Sequence, residues 1–154
     1  MKPIVSIIGL GKLGASMMGC FSSKNIKVLG YDKDPKVINE IQKGKSPVDE
    51  TGLEDLILKY KKNILVSNDI KTLLDKTNIT FIVVPTPTAN DGSYDLKIIK
   101  KSLIEFSKLL KNKKKYHLIV LCSTVLPEDS ENKLIPIIEK YSKKTFKKNF
   151  GFIY

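Results

Sequence analysis

The chain has 154 residues, of which 42% are apolar and 28% are charged, and it carries a formal net charge of +11. This length suits a single globular domain with a hydrophobic core, and no apolar run approaches the roughly 20 residues of a membrane span. Composition therefore excludes a membrane protein, a collagen-like chain and a disordered chain, and the two cysteines are too few for a disulfide scaffold and fit a reducing, cytoplasmic setting.

Apolar runs alternate with helical patterns along the chain. Buried-strand patterns predict strands at 3–8, 26–31, 64–67, 79–84, 116–122 and 150–154. Helical spacing predicts helices at 12–23, 35–41, 52–60, a short one from 68 or 69 to 74, 95–110 and 129–143. Pro35 suits a first helical turn, Gly44 ends that helix, and Asp95 is predicted to cap the fifth helix. Strands that alternate with helices predict a single-domain α/β fold with a doubly wound, mostly parallel sheet.

A glycine-rich segment joins the first predicted strand to the first predicted helix. It reads Gly9-Leu10-Gly11-Lys12-Leu13-Gly14, and Asp32 ends the second strand about 20 residues later, as a dinucleotide fingerprint requires. Gly9 permits the tight turn, Gly11 lets the backbone approach a pyrophosphate, and Gly14 lets the helix pack closely on the sheet. The pattern therefore predicts a Rossmann dinucleotide-binding fold. The carboxylate of Asp32 would bind ribose hydroxyls and repel a 2′-phosphate, which favours NAD over NADP as the cofactor.

Further segments occur in an order that resembles one family. They are Tyr31–Val37, Gly44 with Pro47, Glu50–Leu53, Val84–Thr88, Asp91–Asp95, and Ser123–Val125 with Pro127. Together with the fingerprint, this series resembles the UDP-glucose/GDP-mannose dehydrogenase family along the whole chain. The resemblance implies an NAD-dependent oxidoreductase that converts the C6 hydroxyl of a UDP- or GDP-linked sugar to a carboxylate. The family does so by two hydride transfers to NAD, through intermediates bound to a cysteine.

The resemblance also implies a set of site residues. The implied cofactor-binding residues are Gly9, Gly11, Lys12, Leu13, Gly14, Asp32, Lys36, Pro85, Thr86, Thr88, Ser123 and Thr124. Thr124 is also implied in catalysis, because it would sit by the nicotinamide and help to position a water. We expect residues 1–154 to be the NAD-binding domain, with the central helix, the catalytic cysteine and the C-terminal substrate domain outside this chain. This part alone is expected to be inactive, and the full-length enzyme is expected to be a homodimer that binds a nucleotide sugar.

Other chemistry-bearing residues receive structural interpretations. Cys20 and Cys122 are predicted to pack in the core, and His117 is interpreted as a surface or strand-end residue. Because His117 is the only histidine and neither cysteine lies in a CxxC, we predict no metal site. Glu50 is interpreted as an acid that complements a helix start.

Lysine supplies all of the basic charge, and its runs at 111–115 and 143–148 require an interpretation. The chain has no Arg, whereas direct base readout favours the planar guanidinium. We therefore predict no nucleic-acid partner and interpret the runs as solvated surface. The lack of a long apolar run leads us to predict no membrane partner. A basic surface would still attract anionic small molecules such as nucleotides.

Two alternative functions remain open from the sequence. Hydroxyacid dehydrogenases of the 3-hydroxyisobutyrate and 6-phosphogluconate type also begin with Gly-Leu-Gly, although Lys12-Leu13 and the loop Pro85–Thr88 differ from their usual pattern. The other alternative is a non-catalytic NAD-binding fragment.

Overall fold

The computed structural model describes residues 3–88 and 92–154. Its strands are β1 (Ile4–Ile8), β2 (Lys27–Tyr31), β3 (Ile64–Ser67), β4 (Ile79–Ile82), β5 (His117–Leu121) and β6 (Phe150–Ile153). Its α-helices are α1 (Lys12–Ser23), α2 (Pro35–Lys43), α3 (Leu53–Lys59), α4 (Ile70–Lys76), α5 (Lys97–Leu110) and α6 (Ile135–Ser142). A 3₁₀ turn (Lys61–Asn63) precedes β3, and a π-helical turn (Ser130–Leu134) leads into α6. No helix within these residues is long and apolar enough to span a membrane.

The strands form one six-stranded sheet in the order β3-β2-β1-β4-β5-β6, and every neighbouring pair is parallel. In the middle of the sheet, Ser6 of β1 lies opposite Leu29 on one side and Thr80 on the other. The strand order reverses between β1 and β4, which opens a crevice beyond the carboxyl ends of these two strands. The predicted doubly wound, parallel α/β fold is confirmed.

Hydrophobic residues cover both faces of the sheet. One cluster packs Ile7 of β1 against Met18 of α1 and Ile57 of α3. The other cluster packs Ile8 of β1 against Phe106 of α5 and other buried residues of α5 and α6. Because successive side chains of a strand point to opposite faces, adjacent apolar residues of β1 serve both clusters. The sheet is therefore buried on both faces, and a ligand can reach it only at the ends of its strands.

The last predicted helix differs from the observed one. The sequence pattern predicts one helix over 129–143. In the structure, Ser130–Leu134 form a π-helical turn and the α-helix begins at Ile135. Pro136 has no N–H and is tolerated only in a first turn, and it occupies that place in α6. The chain therefore changes helix type just before the proline.

The cap of α5 also differs from the prediction. Leu96, and not Asp95, is the residue that precedes the helix. The Asp95 carboxylate nevertheless accepts a hydrogen bond at 2.9 Å from the backbone N–H of Lys97, the first helical residue. The Asp95 side chain therefore accepts a hydrogen bond from an N–H of the first helical turn, although Asp95 lies one residue before the N-cap.

One structural interpretation was wrong and another was wrong in part. Cys20 is exposed, because it lies on the solvent side of α1 and not in the core. His117 lies at a strand end as predicted, since it opens β5, but it is fully buried and not at the surface. Its Nε2 is hydrogen-bonded to the Thr80 hydroxyl at 2.8 Å, and that hydroxyl is hydrogen-bonded to Ser6 at 2.7 Å. Burial lowers the pKa of His117 to about 3, and the imidazole is neutral at physiological pH.

Candidate functional site

A cleft of about 820 Å³ lies at the carboxyl ends of β1, β2, β4 and β5. Its walls come from the loops that follow these strands and from one side of α5. Ten of the predicted site residues line it, namely Gly9, Gly11, Lys12, Leu13, Gly14, Asp32, Pro85, Thr86, Ser123 and Thr124. The topology thus brings together residues that are more than 100 positions apart in sequence.

The three glycines of the β1–α1 loop have different surroundings. Gly9 has a φ of +94°, and a Cβ there would overlap the carbonyl oxygen of Val83. A Cβ on Gly14 would overlap the carbonyl oxygen of Gly9, so the first turn of α1 lies directly against the loop. A Cβ on Gly11 would meet no atom of the described residues within 4 Å. Gly9 and Gly14 are therefore required by the fold, whereas the space beside Gly11 is free for a ligand.

The N-terminus of α1 faces this space. Gly11 is its N-cap residue, and within the described residues no side chain caps the helix and no acid lies in its first turn. The free N–H groups of a helix start attract phosphate, and the helix dipole favours negative charge there. Leu13, implied above as a cofactor-binding residue, is 52% exposed and lines the cleft. The Lys12 ammonium lies 3.5 Å from Glu50, so Glu50 pairs with this loop.

Asp32 is held at the end of β2 by two backbone groups. Its Oδ2 accepts a hydrogen bond from the Leu10 N–H at 2.8 Å, and its Oδ1 accepts one from the Asp34 N–H at 2.9 Å. Each carboxylate oxygen keeps further acceptor capacity. The first contact ties Asp32 directly to the glycine loop. The carboxylate is therefore fixed in orientation and still able to accept hydrogen bonds from hydroxyl groups of a ligand.

Ser123 joins the loops that follow β4 and β5. Its hydroxyl donates to the carbonyl of Val84 at 2.6 Å and accepts from the N–H of Val84 at 3.1 Å. The hydroxyl is thus engaged with the protein, whereas the neighbouring Thr124 is exposed at the cleft. Cys122 is half-buried, and burial raises the pKa of its thiol, which keeps the thiol protonated.

Two predicted residues lie away from the cleft lining. Lys36 is exposed in the first turn of α2, where its N–H donates to the Asp34 carboxylate at 2.9 Å. Thr88 is exposed and pairs with Tyr94 in an isolated antiparallel bridge. Asp91, part of a segment used for the family resemblance, lies outside the described residues.

Sequence reasoning missed one wall of the cleft. Four residues of α5 line it, namely Ile98, Lys101, Ser102 and Glu105. Their positions follow the i, i+3, i+4, i+7 spacing of one helix face, which is the signal that could have found them. Tyr31 also borders the cleft, and burial followed by the nearby charges of Glu105 and Asp32 raises the pKa of its phenol.

Comparison with known protein families gives one match over residues 3–154, described as the UDP-glucose/GDP-mannose dehydrogenase family, NAD binding domain. The chain belongs to the UDP-glucose/GDP-mannose dehydrogenase family. It is the NAD-binding domain of that family, and the family resemblance and the NAD cofactor predicted above are confirmed. This membership decides against the hydroxyacid-dehydrogenase alternative.

Individual relatives agree with the family. GDP-mannose 6-dehydrogenase of Pseudomonas aeruginosa is 36% identical over 149 residues, which are 96% of this chain and 34% of the relative. A UDP-glucose 6-dehydrogenase of Haloferax volcanii is 34% identical over 141 residues, 91% of this chain and 33% of the relative. This chain thus spans about a third of the length of these relatives.

Solved structures show the same fold. A ternary complex of the GDP-mannose dehydrogenase from Pseudomonas aeruginosa matches with a TM-score of 0.92 and 35% identity, covering 96% of this chain and 34% of that one. A UDP-glucose dehydrogenase from Pyrobaculum islandicum matches with a TM-score of 0.90 and 25% identity, covering 99% of this chain and 35% of that one.

Proposed function

We propose that this domain serves a nucleotide-sugar 6-dehydrogenase, which oxidises the C6 hydroxyl of a UDP- or GDP-linked sugar to a carboxylate with two equivalents of NAD. The observation that carries the proposal is the open space beside Gly11, which faces the start of α1 in the same cleft as Asp32. A dinucleotide needs a place for its pyrophosphate next to an acceptor for its ribose hydroxyls, and this cleft has both.

The residues present fit NAD. Gly11, Lys12, Leu13 and Gly14 would hold the pyrophosphate with backbone N–H groups and the helix dipole, and Gly9, whose N–H donates to the carbonyl of Tyr31 at 2.9 Å, would shape the turn beneath it. Asp32 would accept hydrogen bonds from the adenosine ribose, and its fixed negative charge would repel a 2′-phosphate. When bound, NAD supplies the hydride acceptor for the alcohol oxidation. Lys36 lies beyond the cleft lining and stays a prediction as a ribose contact.

The loops after β4 and β5 would form the nicotinamide end of the site. Pro85, Thr86 and Thr124 line the cleft there, and Ser123 keeps the two loops at a fixed separation. We assign to Thr124 the positioning of a catalytic water, because its exposed hydroxyl can donate and accept hydrogen bonds. Thr88 stays a prediction as a cofactor contact.

The remaining parts of the proposal concern the whole enzyme. The family relatives are about three times longer than this chain, so the catalytic cysteine and the substrate domain would lie in the part that this chain lacks. We propose that the chain alone binds cofactor without turnover, and that the full-length enzyme is a cytoplasmic homodimer that acts on a nucleotide sugar.

Calorimetric titration of this chain with NAD and with NADP tests the cofactor assignment. We expect saturable NAD binding and weaker NADP binding, and loss of this preference in Asp32→Ala. Asp49→Ala is the matched control, because it removes one exposed carboxylate that lies outside the cleft lining. Equal affinity of the folded wild-type chain for both dinucleotides would contradict the role of Asp32.

The reaction itself requires the complete enzyme. We expect a chain extended by the remaining two-thirds found in the relatives to release two NADH for each UDP- or GDP-sugar consumed. Spectrophotometric NADH counting against substrate loss measures this ratio. Release of one NADH with an aldehyde product would exclude the proposed reaction.

A further inference from the structure

A second cavity lies at the amino ends of the strands, opposite the cleft. It has a volume of about 300 Å³ and is lined by Asp75, Lys76, Asn78, Lys113, Lys114 and Lys115. We call this set of residues the basic pocket. It lies where the connections from α4 to β4 and from α5 to β5 reach the amino ends of their strands. Because the sheet is parallel, the basic pocket and the cofactor cleft are at opposite ends of the strands.

Two lysines fix the backbone around the basic pocket. The Lys113 ammonium donates to the carbonyl of Leu74 at 2.7 Å, which ties the α5–β5 connection to α4. The Lys144 ammonium donates to the carbonyl of Lys113 at 2.7 Å, which adds the α6–β6 connection. Three segments that are distant in sequence are therefore held together at this edge, and the pocket has a scaffold independent of any ligand.

The charge of the basic pocket is unbalanced. Four of its six residues are Lys and one is Asp75. The ion pairs found among the described residues are Lys12–Glu50, Lys43–Glu40, Lys97–Asp95 and Lys133–Asp129, and none includes a lysine of the pocket. Burial and the nearby Lys115 charge both lower the pKa of Lys113, whereas Asp75 opposes this change. Positive charge is thus concentrated here with little internal compensation.

Helix dipoles explain only part of this concentration. A lysine in a last helical turn stabilises the negative end of the dipole, and Lys76 has that position in α4. Lys114 and Lys115 lie beyond the end of α5 at Leu110, and the dipole effect fades within the last turn. These two exposed lysines have no such structural role, and they line the same cavity as Asn78.

We propose that the basic pocket binds a phosphate-bearing anion, with a di- or triphosphate chain as the chemical class of ligand. Lysine ammonium groups bind phosphate as compact point charges, and an amide side chain adds hydrogen-bond donors. Lys76, Lys114 and Lys115 provide the exposed charges, while Lys113 ties the wall of the pocket to α4. The site is separate from the cofactor cleft and adds a second anion site to the domain.

Proton–nitrogen NMR of the 154-residue chain, titrated with sodium tripolyphosphate, resolves the two sites. We expect saturable shifts of the backbone amides at 75–78 and 111–115, whatever the response of the amides at 9–14. In Lys114→Gln/Lys115→Gln the affinity at the basic pocket should fall roughly tenfold, since charge-assisted hydrogen bonds to phosphate are lost. Lys61→Gln/Lys62→Gln is the matched control, because it removes two exposed lysines from another connection, and it should leave the affinity unchanged.

The same titration can overturn the proposal. Shifts that stay linear with tripolyphosphate concentration, shifts confined to residues 9–14, or equal losses in both double variants would each exclude a built site at the basic pocket. A cosedimentation assay with phosphatidylglycerol vesicles separates a lipid headgroup from a free phosphate chain. Binding to vesicles without saturable tripolyphosphate shifts would replace the small-anion site with a membrane-facing surface. Because the pocket residues do not line the cleft, the outcome is independent of NAD binding.

Discussion

At the scale of single residues, the three loop glycines divide into structural and functional positions. A Cβ on Gly9 or Gly14 would overlap a backbone oxygen, whereas one on Gly11 would project into open space. The fingerprint assigns the three positions different roles, and the structure shows the backbone contacts that two of them avoid. The structure therefore separates a requirement of the fold from a requirement of the ligand.

This difference gives a direct prediction for alanine variants. Gly14→Ala should lower the free energy of unfolding by about 2 kcal/mol or more, because the backbone must move away from the new Cβ. Gly11→Ala should lower it by about 1 kcal/mol at most, since only the cap residue changes. NAD affinity of Gly11→Ala should nevertheless fall roughly tenfold, because the Cβ occupies space needed by the pyrophosphate.

Urea denaturation and calorimetry measure the two quantities. Wild-type NAD affinity in Gly11→Ala would show that the pyrophosphate lies elsewhere in the cleft.

At the scale of elements, the sequence was informative wherever the signal was local. The apolar runs, Pro35 and Gly44 marked the strands and helices because side-chain period and backbone restriction act within a few residues. The π-helical turn was missed because a proline inside a helical pattern does not reveal how the chain will accommodate it. The α5 wall of the cleft was missed although the spacing of its residues marks one helix face, because that spacing does not tell whether the face borders a cleft or the core.

Ser123 shows the limit of motif reading most clearly. The family resemblance implied a cofactor contact for Ser123, which stays a prediction, and it gave no sign that the hydroxyl bonds to Val84, 39 positions away in sequence. Such a bond depends on which strands become neighbours, and a motif holds no information on that pairing. Nothing in the local pattern distinguishes Ser123 from Thr124, although their surroundings differ.

Ser123→Ala should therefore loosen the two loops. The N–H and C=O of Val84 would lose their partner, at a loss of about 1–3 kcal/mol in the free energy of unfolding. NAD affinity should fall with it, because the loops border the cleft. Thr124→Val, which removes an exposed hydroxyl, should change the stability by less than about 0.5 kcal/mol. Thermal denaturation of both variants checks the contrast, and equal stabilities would refute the proposed tie.

At the scale of the whole molecule, a buried polar chain crosses the sheet. It runs from His117 in β5 to Thr80 in β4 and Ser6 in β1, and on to Thr77 at 2.9 Å. Within the described residues, Nδ1 of His117 has no hydrogen-bond partner. A buried imidazole without a partner for a second proton resists protonation, so any proton uptake at this position opposes folding.

Acid should consequently destabilise the chain well above the pH at which carboxylates titrate. The His117 pKa is about 3 in the folded chain and 6.5 as the ordinary value, so below pH 6.5 the unfolded chain binds a proton that the folded chain does not. The free energy of unfolding should fall by about 1.4 kcal/mol per pH unit, or about 2 kcal/mol between pH 6.5 and 5. Urea denaturation at several pH values measures this slope, and His117→Gln should flatten it. An unchanged slope in that variant would assign the effect to other groups.

The parallel sheet also places the lysine-rich connections and the cofactor cleft at opposite ends of its strands. All six strands point the same way, so the connections rich in lysine at 111–115 and 143–148 gather at one edge and the cofactor cleft opens at the other. On a cation-exchange resin the protein should therefore bind through the lysine-rich connections at 111–115 and 143–148, with the cleft turned toward the solvent. Adsorbed protein would then stay open to NAD, and the resin itself would serve as an orienting support for cofactor-binding assays.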